Sequence, residues 1–258
     1  MNRAFGITAT DDRRGAEAVA IAAEETGYSA IWTNDGVADG VATASWMAEA
    51  TGLIGVGIGV VACDRMPAGD LAEKIKAVVL PLDRCVIGIG SGFSSNPIAD
   101  VRAAVGVLRS SFGDEITIAV AAMGPRMCRL AGEISDVVLL NWMTPERIAW
   151  ARRRISDAAR GRSSNPRVAS YVRVATGPGA AGRISAEASR YASIPHYASH
   201  FSAMGKTPGE VGIAGDFGEL ETALQEYEEV LDELVVRGVP ASGDVQSTLE
   251  IVRAASGQ

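Results

Sequence analysis

The sequence predicts an α/β fold, a (β/α)8 TIM barrel that takes in residues 1–258 as one domain. Three observations predict it. Apolar, β-branched runs of strand length recur along the chain, amphipathic segments of helix length separate them, and about eight such pairs can be counted. Strands buried on both faces read as continuous apolar runs, as a parallel sheet covered by helices requires. Barrels of this kind reach about 250 residues as one domain, close to the 258 residues here. An open, doubly wound sheet competes, because alternation alone does not prove closure. Eight units favour the barrel.

Taken in order, Phe5–Thr8 is the first strand, and Thr10-Asp11-Asp12 offers capping chemistry for a helix that runs through Ala16, Val19, Ala20 and Ala23 to Gly27. The second strand, Ala30–Thr33, ends on polar Asn34 and Asp35. Val56–Val61, Val86–Ile89, Ile116–Ala121, Val137–Leu140, Val168–Ala175 and Glu233–Val236 complete the set. Between and after them lie the amphipathic segments Ala68–Val79, Ile98–Ser110, Pro125–Gly132, Pro145–Ala159, Ile184–Ala192, Leu220–Val230 and Gln246–Ala255. "GRSSNPR" (Gly161–Arg167) and "TGPGAAG" (Thr176–Gly182) read as loops within one domain. The stretch Ile194–Asp216 is weakly patterned, falls after the seventh strand, and is read as a lid over the active-site face.

A formal net charge of −7 without a stripe of Lys and Arg argues against nucleic acid or an anionic membrane as partner. No signal core and no uninterrupted apolar run of about 18 residues is present, so a cytoplasmic location and a small-molecule substrate are expected. Cys63, Cys85 and Cys128 are scattered and odd in number, which signals neither disulfides nor zinc and leaves buried, reduced thiols. His196 and His200 stand four apart, but "HYASH" lacks a third ligand, so no metal is expected.

In a barrel, chemistry sits on the loops after the strands. Those ends carry Asn34-Asp35-Gly36, Gly59-Val60, Gly90-Ser91-Gly92-Phe93, Ala122-Met123-Gly124-Pro125 and Asn141-Trp142. Gly124-Pro125 makes a strand-to-helix turn whose first free N–H groups, with Arg126, would suit a phosphate; an ordinary tight turn is the plain alternative. "GIGSG" (Gly88–Gly92) lacks the full dinucleotide spacing and fits close approach of a flat ring. Asp35 serves either a ligand or a helix cap. Arg173 and Arg237 are charges in or at the end of strands, and each needs an anionic ligand or an acidic neighbour.

The segments "ETGYSAIWTND", "VLPLDRCVIGIGSG", "AVAAMGPRMCRLAGEISDVVLLNWMTPE" and "YASIPHYASHFSAMG", in that order along nearly the whole chain, resemble the luciferase-like monooxygenase superfamily, and within it the oxidoreductases that use the deazaflavin coenzyme F420. The resemblance implies a bacterial luciferase-like barrel, a homodimer, and F420 or FMN bound at the strand ends for hydride transfer or, with oxygen, monooxygenation. It places Gly59 and Val60 at a cis peptide against the ring, and Ser91, Gly92 and Asn96 on the cofactor side. It places Ala122, Met123, Gly124 and Pro125 beside the ribityl-phosphate arm, and Asp35 as the acidic member of an Asp-His pair. Two departures stand out, since Gly36 replaces that His and Phe93 replaces the acid of the sugar-phosphate dehydrogenases. No catalytic residue is therefore assigned. The insertion expected before the fifth strand is nearly absent, which shortens the loops around the mouth. Three readings follow: a redox enzyme of unknown substrate, a degenerate barrel that binds the cofactor without turnover, and a non-redox barrel for a phosphorylated metabolite.

Overall fold

Each strand end hands the chain directly to a helix start. The computed structural model describes residues 2–257. β1 (Asn2–Ile7) leads into α1 (Arg13–Glu25), and the Asp12 carboxylate accepts the Gly15 N–H at 3.0 Å to cap it. β2 (Ala30–Thr33) precedes α2 (Gly40–Ala50), capped by Asp39; β3 (Gly55–Ala62) precedes α3 (Ala68–Lys76). Next come β4 (Cys85–Gly90), α4 (Pro97–Phe112), β5 (Thr117–Ala121), α5 (Pro125–Ile134), β6 (Val137–Asn141) and α6 (Pro145–Ala158). All three of these helices carry Pro in the first turn, where its missing N–H is no loss. The chain continues through β7 (Arg167–Thr176), α7 (Ala180–Ala192), α8 (Pro195–Met204), the short β8 (Ile213–Gly215), α9 (Phe217–Glu228), β9 (Glu233–Gly238) and α10 (Val245–Ala254).

β1 through β7 pair in sequence, all parallel, and β9 joins β7 to β1, so eight strands close a barrel. β8 stands outside this ring and pairs only with the end of β7, from Val174 to Thr176. Between α4 and β5 the chain needs only a single 3-10 turn, Gly113–Glu115.

Side chains alternate between two cores. Outward-facing Ile31, Ile58, Ile87, Ile118, Val138, Val172 and Val236 meet the helices in the larger one. Inward-facing Ala4, Trp32, Ala119, Val137, Leu139, Ala169, Tyr171 and Val235 fill the barrel itself. Trp32 is the plug. A buried Trp removes about 150–250 Å² from water, which at about 25 cal/mol per Å² contributes roughly 4–6 kcal/mol. Gly57, its neighbour across β3, leaves the room, since a Cβ there would overlap the indole. Below, Glu233 accepts the Trp32 indole N–H at 2.6 Å and pairs with Arg167 at 3.3 Å, which closes the floor.

Three elements depart from the sequence expectation. α2 was not anticipated because "GVATASWMAEA" is small or apolar almost all round, and Val41, Ala44, Ser45 and Met47 are all buried. Within Ile194–Asp216 the chain forms α8 and β8, where weak patterning predicted neither; Pro195 at the first helical position and left-handed Gly205 at the end were the unused signals. α7 starts at Ala180, so part of "TGPGAAG" is helix.

Candidate active site

At the C-terminal ends of the strands a cavity of about 460 Å³ opens, walled by residues from β2 round to β9. Tyr171 and Leu139 rise from the plug to form its bottom, and the Tyr171 hydroxyl donates to the Gly59 carbonyl at 3.0 Å. Burial raises the phenol's pKa, so Tyr171 stays a neutral donor.

Of the residues singled out in the sequence, Asp35, Gly59, Val60, Ser91, Gly92, Ala122, Met123 and Gly124 all line this cavity. Asn96, Pro125 and Arg126 lie just behind its wall, at the first turns of α4 and α5. The Gly59–Val60 peptide is cis.

The glycines have a plainer explanation than ligand approach. A Cβ on Gly59 would sit 2.7 Å from the Tyr171 hydroxyl, and one on Gly90 2.6 Å from the Val60 side chain. Gly92 has φ +56 and presses against the Asp64 carboxylate, which accepts the Phe93 N–H at 2.8 Å. The chain's own packing thus demands these three. Gly124 differs, since a Cβ there would meet nothing within 4 Å.

That open corner is the start of α5. No side chain caps the helix and no acidic residue stands in its first turn, so the N–H groups beyond Pro125 and the positive end of the helix dipole are unanswered. α4, at the next strand, carries Asp100 in its first turn, hydrogen-bonded by the Ser94 hydroxyl. α8 is likewise uncapped and presents Ile194, His196 and Tyr197 to the cavity.

Arg173 is 3% exposed. It pairs with Glu187 of α7 at 3.1 Å, donates to the Asn141 side-chain oxygen and to the Tyr191 hydroxyl, and stacks on Trp142 at 4.3 Å. Trp142 holds its backbone at φ +53, a strained position for a bulky residue. The acidic neighbour is thus found for Arg173, while its side chain still lines the cavity. Arg237 also lines it, and donates to the Gly6 carbonyl at 3.1 Å and to the Thr8 hydroxyl.

Asp35 lines the cavity and also accepts the Gly40 N–H at 3.0 Å, beside the Asp39 cap of α2, with Arg65 at 3.6 Å. The two histidines part company on α8. His200 is buried and its Nε2 meets the Trp142 carbonyl at 2.8 Å, whereas His196 stays exposed at the cavity edge with its ring edge-on to Phe93. Among the described residues no cluster of His, Cys, Asp and Glu could hold a metal, and no helix is long and apolar enough to cross a membrane.

Sequence reasoning missed Arg65, Tyr191 and Tyr197. Tyr197, whose hydroxyl accepts the Asn141 amide at 3.0 Å, has its pKa pushed up to about 12 by burial. The aromatic spacing Tyr191, His196, Tyr197 within the "lid" was the available signal; Arg65 had none, because a lone loop arginine looks solvated.

Comparison with known proteins follows the same line. No curated protein matches the chain in sequence. Its fold is similar to that of an F420-dependent secondary alcohol dehydrogenase in complex with an F420–acetone adduct, at 13% identity and a TM-score of 0.78, covering 100% of this chain and 99% of that one. It is equally similar to the coenzyme F420-dependent tetrahydromethanopterin reductase from Methanopyrus kandleri, at 16% identity and a TM-score of 0.78 over 99% and 97% of the two chains. A monooxygenase from Streptomyces bottropensis shares 14% identity with a TM-score of 0.74 over 99% and 98%. At such identities the likeness concerns the fold. The model of the luciferase-like monooxygenase family matches residues 100–244, a stretch that runs from α4 through the α5 turn and Arg173 to the end of the barrel, and the chain belongs to that family.

Proposed function

We propose that the protein is an oxidoreductase that transfers hydride between F420 or FMN and a small organic substrate in the cavity above Tyr171, with oxygen as a co-substrate if the cofactor is FMN. The observation that carries this reading is the uncapped start of α5, which opens through Gly124 onto the same cavity as the Gly59–Val60 wall. These residues fit a cofactor with a phosphate arm. The first-turn N–H groups and Arg126 would hold the phosphate, and the wall of Gly59, Val60, Ser91 and Ala122 would face the ring. When bound, the cofactor supplies the hydride chemistry.

The chain's own residues position and shield. Tyr171 and Leu139 close the cavity toward the barrel interior and keep water from below. Tyr197 and Arg173 are locked in place through Asn141, giving one side of the cavity a fixed shape. His196 is the imidazole within reach of the cavity, and in this reading it exchanges the substrate proton that accompanies hydride transfer. A second reading, cofactor binding without turnover, is favoured by Gly36 and Phe93, which leave no imidazole at the first position and no carboxyl group at the second.

Titration of the purified protein with F420 and with FMN, followed by fluorescence, tests the proposal; no binding of either at tens of micromolar refutes it. Gly124→Asp puts a carboxylate where the phosphate would sit, in space that accepts a side chain, and is expected to weaken binding at least about tenfold. Turnover with any substrate eliminates the second reading.

A further inference from the structure

The two arginines of the cavity are not equivalent. Arg173 and Arg237 are register partners on the adjacent parallel strands β7 and β9, so two guanidinium groups stand side by side at the mouth. Alternation along β9 turns Val235 into the barrel and sets Arg237 two residues above it. Arg173 has Glu187 as its counter-ion, with Asn141 and Tyr191 taking further donors. Arg237 has only the Gly6 carbonyl and the Thr8 hydroxyl, both neutral, and forms no ion pair with any described carboxylate. A guanidinium carries five N–H donors, so part of its fork is uncommitted. Burial and the positive Arg173 work against its charge, and the more distant Glu187 with the Tyr171 and Tyr191 hydroxyls offset them only in part; an arginine stays protonated regardless. Such an arrangement is relieved by an incoming anion.

We propose that Arg237 binds the carboxylate, or an equivalent oxyanion, of the substrate, and that the substrate is a small organic anion with an apolar or aromatic body. The assignment rests on the cavity being the redox site proposed above. Arg237 stands three strands round the barrel from β5, which leads into α5, so the phosphate corner and the anion corner are separate places. The body of the substrate would meet Tyr171, Tyr191, Tyr197 and Met127. Arg237 also borders a smaller recess of about 340 Å³ toward α1 and α10, but Asp12 and Asp244 line that one and disfavour an anion there. Asp35 is the acidic residue of the larger cavity, and it faces Arg65.

The test is calorimetric titration of the whole protein with benzoate, hexanoate and benzenesulfonate, against neutral benzamide, at constant chloride. F420 and FMN titrations run in parallel. At least one anion is expected to bind, benzamide to bind more weakly than benzoate, and Arg237→Gln to weaken anion binding tenfold or more while cofactor affinity stays within twofold. Arg237→Lys, which keeps the charge without the fork, is expected to lie between, and it carries the test if the Gln variant does not fold. The proposal is overturned if no anion binds the wild-type protein below about 10 mM. It is overturned equally if the variants leave anion affinity unchanged. Loss of cofactor affinity in Arg237→Gln also overturns it, since the charge would then serve the cofactor. If anions bind through Arg237 and neither cofactor binds, the anion site stands and the redox reading falls.

Discussion

The two ends of the barrel treat ionisable groups in opposite ways. At the closed end Glu233 is 3% exposed, yet it accepts the Trp32 N–H at 2.6 Å and has Arg167 at 3.3 Å. Burial raises its pKa, and both partners partly offset that rise. At the open end Arg237 has hydroxyl and carbonyl partners, and among the described residues no carboxylate stands in ion-pair contact with it; Glu187, paired to Arg173, acts on it only from farther off. A satisfied buried charge belongs to the architecture, whereas one without a direct counter-ion at a cavity wall keeps donors for an incoming anion, as proposed for Arg237. Arg173 lies between these cases, built into an ion pair while its side chain borders the cavity.

Substitutions at each end put this contrast at risk. The largest effect is expected from Trp32→Ala, which empties the plug and should lower stability by about 3–5 kcal/mol in urea unfolding. A loss below about 1 kcal/mol would mean that the interior is not a packed core. Next comes Glu233→Ala, which strands the Trp32 N–H and should cost about 1–3 kcal/mol. Glu233→Gln keeps an acceptor and should cost less in the same measurement. Arg237→Gln is expected to leave stability within about 0.5 kcal/mol of the wild type or to raise it; a loss as large as that of Glu233→Ala would erase the difference between the two ends.

The smallest effect concerns pH. Burial lowers the pKa of His200 from 6.5, with Arg147 adding to the effect, although the carbonyl of Trp142 opposes it. The unfolded chain therefore binds the proton more readily than the folded one. The stabilising contribution is complete above pH 6.5 and is lost as pH falls below that value through the folded pKa. Thermal melts between about pH 5 and 8 should show this decline, and His200→Gln should flatten it. An unchanged profile in the variant would remove His200 from the account.

Much of the barrel was legible because the signals are local. Apolar runs, Asp and Thr caps and Pro at helix starts place most strands and helices within a few residues. α2 and α8 escaped for a common reason, a helix without a clean polar face gives no periodic signal, and α2 is packed on several sides. The site was legible as a set of strand ends, and eight of the eleven residues singled out line the cavity. Their reasons were less legible. The glycines at 59, 90 and 92 read as openings for a ligand, but Tyr171, Val60 and Asp64 take up the space, and those neighbours are between 28 and 112 residues away along the chain.

The sequence by itself determined the period of strands and helices, the strand ends around which the cavity opens, and the turn at Gly124-Pro125, because each follows from residues close to one another along the chain. Only the tertiary structure decided which charges are balanced. Arg173 and Arg237 carried the same two alternatives in the sequence; the fold pairs Glu187 directly with the first and sets no carboxylate among the described residues in ion-pair contact with the second. Coulomb attraction acts across a few ångströms of space, and strand register, which no local pattern encodes, sets those distances.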